Sequence, residues 1–152
     1  MSNRCTRMEN ANKFKLGIFA FNCSGGLTQT KAPEHWDASW DNNLRVAQAA
    51  DAAGIEFMLP LGRWLGQFGQ THTQETNFET LTWASGLLAA TKEITAFGTL
   101  HISLIHPVFA AKQIVTADHI GKGRFGLNMV AGWNEYEFGM FGKDLLEHDE
   151  RY

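Results

Sequence analysis

Short apolar segments alternate along the chain with segments of helical periodicity, and no other feature restricts the fold as strongly. The length and apolar character of the short segments predict strands at residues 13–20, 55–61, 94–100 and 124–131. Apolar residues at helical spacing predict helices, which run from Asp37 to Gly54, from Glu75 to Thr91 and from Pro107 to Ile120. We predict Asp37 as the N-cap and Gly54 as the stop of the first helix, and the terminal sequence DLLEHDERY as the start of another helix.

The order of these elements is typical of an α/β fold built on a parallel sheet, because strands recur every roughly 30 to 40 residues with a helix between them. A doubly wound open sheet and part of a (β/α)8 barrel, which needs about 250 residues, both fit this order. Since the 152 residues end within a helical pattern, we predict about the first four βα units of a barrel. Residues 1–12 would be a polar lead-in, and residues 13–152 the N-terminal half of a truncated barrel domain whose open sheet edges favour association.

Composition and charge argue against several classes of function. With 13 Lys and Arg against 16 Asp and Glu, the formal charge is -3, which argues against binding to nucleic acid or anionic membranes. No apolar stretch approaches the about 20 residues of a membrane span, and the polar N-terminus lacks a signal peptide, so we predict a cytoplasmic protein. The six histidines and two cysteines have no metal-ligand spacing, so we predict no metal site.

One nucleotide-binding fingerprint occurs in the sequence, the pattern GxGxxG at Gly121, Gly123 and Gly126. In a dinucleotide-binding fold these glycines follow a strand and open a helix. Here they follow the third predicted helix and precede the fourth predicted strand. We therefore interpret them as a helix C-cap and a tight turn.

Polar and aromatic residues follow the predicted strands at their carboxyl ends, where parallel α/β folds bind ligands. They are Phe21, Asn22, Gly62, Arg63, Trp64, His101 and Trp133. Such a set suits a flat, partly apolar ligand with hydrogen-bonding atoms, although the aromatic rings could simply cover the core and Arg63 could be solvated. Within the fourth strand, alternation places Asn128 on the opposite face from Leu127 and Met129, where a buried amide needs partners or a ligand. His101 is the best-placed candidate for acid-base catalysis, and the catalytic residues otherwise stay open.

The run GRFGLNMVAGWNEYEFGMFG (123–142) resembles the fourth-strand segment of the bacterial luciferase-like flavin monooxygenases, in particular the branch that holds pyrimidine, dimethylsulfone and alkanesulfonate monooxygenases. The segments LPLGRW, HPVFAAKQ and HDERY are similar to the same branch, so the resemblance covers about residues 14–152. It implies a (β/α)8 barrel in which the flavin contacts are Gly62, Arg63, Asn128, Glu137, Arg151 and Tyr152. The pocket walls would then include Phe21, Asn22, Trp64, Met129 and Trp133. Leu65 stands where the alkanesulfonate group has a cysteine, which argues against sulfonate substrates.

The resemblance implies an FMN-dependent monooxygenase of the two-component kind. Such an enzyme takes reduced FMN from a separate NAD(P)H flavin reductase and uses O2 to oxygenate a small organic substrate, and members of the family commonly form homo-oligomers. Two alternatives stay open: a deazaflavin-dependent oxidoreductase of the same superfamily, and a non-catalytic partial barrel that binds flavin. Barrels commonly bind a phosphate near the loops after strands seven and eight, so we expect weak FMN binding by these 152 residues alone.

Overall fold

The computed structural model describes residues 6–151, in which four parallel strands form one sheet in the order β1-β2-β3-β4. The strands are β1 (Gly17–Phe19), β2 (Phe57–Leu59), β3 (Thr95–His101) and β4 (Phe125–Val130). The α-helices are α1 (Trp40–Ala53), α2 (Thr80–Ala90), α3 (Pro107–Gly121) and α4 (Glu135–Met140), and short 3-10 helices span Arg7–Glu9 and His148–Glu150. Every sheet pairing is parallel, so the predicted α/β class is confirmed.

The helices begin where side chains accept hydrogen bonds from their first backbone N–H groups. Helix α1 begins after Ser39, whose hydroxyl accepts from the Asn42 N–H. Asp37 was predicted as this N-cap and is not; its carboxylate instead accepts from the backbone N–H of Ser39 and fixes the turn before the helix. Helix α2 begins at Thr80 rather than at Glu75, because the Glu79 carboxylate accepts from the first N–H groups of that helix. Gly54 ends α1 with φ of 87°, as predicted.

The C-terminal part of the described chain differs from the prediction. Residues 144–147 are not helical, and only His148–Glu150 form a short 3-10 helix, so the predicted α-helix over DLLEHDERY is absent from the described residues. A helix does form earlier, at α4, where the Asn134 side chain caps the first turn. With six residues, one of them Gly139, this helix is too short to show a periodic pattern in the sequence.

The two faces of the sheet carry different residues because side chains alternate along each strand. On one face Ile18, Met58 and Ala96 pack against the helices, in a core that includes Trp83 and Leu87. On the other face lie residues that alternate with these, namely Phe19, Phe57, Phe97, Thr99, His101 and Asn128. In a barrel this second face is the interior, so the carboxyl ends of its strands define where a ligand can bind.

The end of the sheet away from the strand carboxyl ends is held by Arg124. The residue is 6% exposed, and its guanidinium group donates to the carbonyl oxygens of Leu88, Thr91 and Ile94. These bonds join the end of α2 to the start of β3. Next to it, Lys122 and Gly123 have φ of 53° and 85° and close α3. Gly121 and Gly123 therefore lie at a helix end and a turn, as predicted, whereas the C-cap itself is Lys122 and Gly126 lies within β4.

Candidate active site

A cavity of about 350 Å³ lies at the carboxyl ends of β2, β3 and β4, on the interior face of the sheet. Thr99, His101 and Asn128 line it from the strands, and Gly62 lines it from the loop after β2. Trp133 and Arg151 line it from segments after β4. The structure thus places interior-facing strand residues and loop residues around one space, as expected for a parallel α/β fold.

At the floor of the cavity, two hydrogen bonds fix the orientation of the Thr99 hydroxyl group. Thr99 Oγ1 donates to the carbonyl oxygen of Pro60 at 2.8 Å and accepts from Asn128 Nδ2 at 3.2 Å. Within residues 6–151 the Asn128 amide makes only this bond, so its oxygen and its second N–H remain available to a ligand. Sequence reasoning missed Thr99. Alternation along β3 from His101 would have placed it on the same face.

Gly62 permits close approach of the loop to the floor. A Cβ at this position would lie 2.8 Å from His101 Cε1 and 2.9 Å from Thr99 Cγ2, so a side chain here would displace the cavity residues. The His101 side chain is itself buried, with 6% of the residue exposed. Burial lowers the pKa of the His101 imidazole; the Glu137 carboxylate opposes this shift and Arg63 adds to it. His101 is therefore neutral at pH 7.

Behind the rim, Arg63 and Glu137 form a buried ion pair. The Arg63 Nη1 to Glu137 Oε1 distance is 3.8 Å, and the two side chains are 8% and 3% exposed. Glu137 Oε1 also accepts from the backbone N–H groups of Trp64 at 3.0 Å and Leu65 at 3.2 Å. On the other side, the Arg63 guanidinium carbon lies 4.9 Å from the centre of the Trp133 ring, in a cation-π contact. The loop after β2 is thus tied to α4 and to the rim.

Arg151 reaches the cavity from the last part of the described chain. Its Nη1 donates to the carbonyl oxygen of Gly132. Its Nε is buried and has no hydrogen-bond partner within residues 6–151. A buried donor without a partner costs free energy unless a ligand or water accepts from it. Tyr152, the other predicted contact from this segment, lies outside the described residues.

A model of the luciferase-like monooxygenase family matches residues 14–152. This chain belongs to that family. It is 36% identical over 138 residues to the FMNH2-dependent dimethylsulfone monooxygenase of Pseudomonas fluorescens, a match that covers 91% of this chain and 37% of the relative. It is 34% identical over 128 residues to the pyrimidine monooxygenase RutA of Pseudomonas savastanoi pv. phaseolicola, covering 84% and 35% of the two chains.

A solved structure shows the same fold. The EDTA monooxygenase from Chelativorans sp. BNC1 superposes with a TM-score of 0.79 at 20% identity, over 90% of this chain and 33% of that chain. The predicted family and the predicted partial barrel of about four βα units are therefore confirmed. The chain spans little more than a third of the length of the curated relatives named above. Among the helices of residues 6–151, none has the length and apolar character needed to cross a membrane.

Of the site residues predicted for this family member, several lie together. Gly62, Asn128, Arg151 and Trp133 line the cavity, and His101 lines it as well. Arg63 and Glu137 lie behind Trp133 rather than on the cavity surface, where they support the rim. Their roles in cofactor binding remain predictions.

Four predicted pocket walls do not line the cavity. Met129 pairs with Leu100 on the helix-facing side of β4 and is 66% exposed, because alternation turns it away from Asn128. The Phe21 ring packs on Trp36 at a centroid distance of 4.7 Å. The ring of Trp64 contacts Phe141. Trp64 borders an adjoining hollow of about 200 Å³ that extends between α2 and α3 and shares Gly62, Thr99 and His101 with the cavity.

Asn22 is the fourth of these residues and has a structural role. It is fully buried, and its amide donates to the carbonyl oxygen of Leu61 at 2.8 Å and accepts from the Leu61 N–H at 2.8 Å. It also donates to the carbonyl oxygen of Phe78 at 3.3 Å. Asn22 therefore joins the loop after β1 to the loop after β2 and to the segment before α2.

Proposed function

We propose that this chain contributes the flavin pocket of an FMN-dependent monooxygenase, which uses reduced FMN and O2 to oxygenate a small organic substrate. Family membership supports the class of reaction, and the dimethylsulfone relative is named for its dependence on FMNH2. The observation that carries the proposal is the cavity floor, where Asn128 and Thr99 offer hydrogen-bonding groups beside the aromatic rim at Trp133.

The residues of the cavity fit a flavin ring in three respects. The Asn128 amide offers both an acceptor and a donor, which suits a ring that carries carbonyl oxygens and ring nitrogens. Gly62 lets the loop after β2 lie close against His101 and Thr99, because a Cβ there would meet both side chains, so the loop closes one side of the cavity without displacing its lining. The buried Nε of Arg151 supplies a donor that lacks a partner within residues 6–151.

When bound, reduced FMN supplies the electrons for the reaction with O2. The chain's own residues bind the ring, orient it and exclude water. Asn128 and Thr99 would orient its polar edge, while Trp133, in contact with Arg63, would form one wall of the cavity. His101 is neutral in this position and presents an imidazole that can accept a proton inside the cavity.

For the whole protein we propose the partners that the two-component enzymes of this family use. A separate NAD(P)H flavin reductase would supply reduced FMN in the cytoplasm, and the enzyme would act as a homo-oligomer. The exposed Phe14, Leu16 and Phe19, which are 80%, 53% and 44% exposed, support coverage of the open side of the sheet by further protein.

Replacement of Asn128 tests the proposal. In an anaerobic fluorescence titration of the whole protein with reduced FMN, Asn128→Ala should weaken binding by about 1 to 3 kcal/mol, because hydrogen bonds to the ring are lost. Met129→Ala is the matched control, since Met129 is the next residue of the same strand and faces away from the cavity.

Unchanged affinity of the Asn128→Ala variant would remove this amide from the site. A parallel titration with a reduced deazaflavin separates the two flavin chemistries. Tight binding of the deazaflavin by the unmodified protein without binding of reduced FMN would contradict the proposed cofactor.

A further inference from the structure

The turn before α2 contains two residues other than glycine in the left-handed backbone region. His72 has φ of 50° and Gln74 has φ of 64°. Residues with a side chain rarely adopt this conformation, so surrounding contacts must hold it in place. Gln74 is also among the most buried polar residues, with 2% of its surface exposed. Gln74 thus combines a strained backbone conformation with a buried side-chain amide, so the contacts of that amide must help to hold the turn.

The side chain of Gln74 joins two loops at the carboxyl end of the sheet. Its Nε2 donates to the carbonyl oxygen of Gly26 at 2.9 Å, in the loop after β1. Its Oε1 accepts from Arg63 Nε at 2.8 Å and from Gln67 Nε2 at 3.3 Å, both in the loop after β2. Its backbone N–H donates to the carbonyl oxygen of Ser24 at 2.8 Å. The donor and the acceptor of the amide are therefore both used.

These bonds fix the orientation of the Arg63 guanidinium group. Gln74 holds Nε on one side, and Glu137 lies 3.8 Å from Nη1 on another. A planar group held at two of its nitrogens has a defined plane, and its central carbon lies over the Trp133 ring, 4.9 Å from the ring centre. Trp133 is 67% exposed and lines the cavity, and the Arg63 contact restrains its ring.

We propose that Gln74 is a positioning residue for the flavin pocket, acting through Arg63 to hold Trp133 over the cavity. This inference rests on the proposed function and deepens it. Gln74 does not line the cavity, so its effect on binding passes through the Arg63 guanidinium group. The acceptor Oε1 is the atom that matters for this role, whereas the donor Nε2 serves the loop at Gly26.

Three variants separate these two roles. Gln74→Met has a similar shape and removes all three hydrogen bonds of the amide. Gln74→Glu keeps an acceptor for Arg63 Nε and gives up the donor to Gly26. Gln67→Met is the matched control, because it removes the other donor to the same Oε1 atom and leaves the Arg63 contact in place. Urea unfolding of each variant establishes that it is folded under the conditions of the test.

Two measurements are made on each variant. The first is the Arg63 Nε–H signal in a 1H-15N NMR spectrum, assigned with Arg63→Lys, which reports the Gln74 contact without any flavin. The second is the dissociation constant for reduced FMN under anaerobic conditions. We expect Gln74→Met to shift the Nε–H signal away from its hydrogen-bonded position and to weaken FMN binding by about tenfold. Gln74→Glu and Gln67→Met should keep the signal hydrogen-bonded and the affinity within about twofold.

The outcomes distinguish this inference from the proposed function. Equal FMN affinity of Gln74→Met and the unmodified protein would overturn the positioning role and leave the proposed function intact. Equal loss of affinity in Gln74→Glu and Gln74→Met would also overturn it, because the acceptor would then not be the relevant atom. Failure of the whole protein, in which all of these variants are measured, to bind reduced FMN would overturn the proposed function itself.

Discussion

Removal of the Glu137 carboxylate should destabilise the protein strongly, although α4 is a short helix. The carboxylate is 3% exposed and accepts two backbone hydrogen bonds, at 3.0 and 3.2 Å, from the loop after β2. It is also the carboxylate that lies beside the buried guanidinium group of Arg63. Glu137→Ala leaves two N–H groups without their acceptor and a buried positive charge without its counter-ion.

The magnitude follows from these contacts. A hydrogen bond to a charged group contributes about 1.5 to 3 kcal/mol, and removal of one partner of a buried ion pair costs about 3 to 5 kcal/mol. The two effects overlap because one oxygen atom, Oε1, makes all three contacts. We therefore expect Glu137→Ala to lower the free energy of unfolding by about 3 to 5 kcal/mol in total. Glu137→Gln keeps an oxygen acceptor and loses only the charge, so its cost should be about 1 to 3 kcal/mol.

Urea unfolding followed by tryptophan fluorescence measures these differences. Glu135→Ala is the matched control, because Glu135 lies in the first turn of the same helix and is exposed. Glu135→Ala removes one negative charge from the first turn of the helix, so the free energy of unfolding should fall by less than about 1 kcal/mol. A Glu137→Ala variant as stable as Glu135→Ala would refute the argument that this carboxylate ties α4 to the loop after β2.

Three further predictions concern stability and reactivity. Arg124→Met should lower the free energy of unfolding by about 3 to 5 kcal/mol, because three carbonyl oxygens lose a charged donor. Arg124→Lys should lower it by less, and equal stability of the two variants in urea would contradict this prediction. Burial alone would raise the pKa of Asp51, but hydrogen bonds from Lys92 and the next two backbone N–H groups hold the pKa below its ordinary value. A pKa lowered by folding contributes stability that is lost as the pH falls, so urea midpoints should decrease below about pH 4 and Asp51→Asn should reduce that dependence; identical pH profiles would argue against it. Burial raises the pKa of the Cys23 thiol to about 12. In a Cys5→Ser variant at pH 8, Cys23 should therefore react with a thiol reagent only when the protein is unfolded. Rapid labelling of the folded protein would contradict this, because it would show an accessible thiolate.

The order of helices and strands could be predicted because it depends on local spacing of apolar residues. The same local pattern placed Asn128 on the interior face of β4, where it lines the cavity. It also shows why Met129 was wrong as a pocket wall, since adjacent residues of a strand face opposite sides. The gathering of Gly62 and Trp133 at one cavity followed from the rule that parallel strands end at one edge of the sheet.

Contacts between distant segments could not be predicted in the same way. Asn22 follows a strand as a ligand-binding residue would, but its partners Leu61 and Phe78 are 39 and 56 residues away, and they turn it into a structural bridge. Gln74 carries no local pattern at all, because its importance comes from Arg63 and Gly26. The N-cap of α1 is Ser39 rather than Asp37. Both residue types are good N-caps and they lie two positions apart, which local sequence does not separate.

The central claim is that the cavity at the strand ends holds the flavin ring. The most direct measurement is an anaerobic titration of the 15N-labelled protein with reduced FMN, followed by 1H-15N NMR. We expect the side-chain amide of Asn128 and the backbone amides of Gly132 and Trp133, which line this cavity and not the neighbouring hollow, to shift together as the flavin is added. Shifts confined to the hollow between α2 and α3, at Gln113 and Thr82, would contradict the account, as would a spectrum that reduced FMN leaves unchanged.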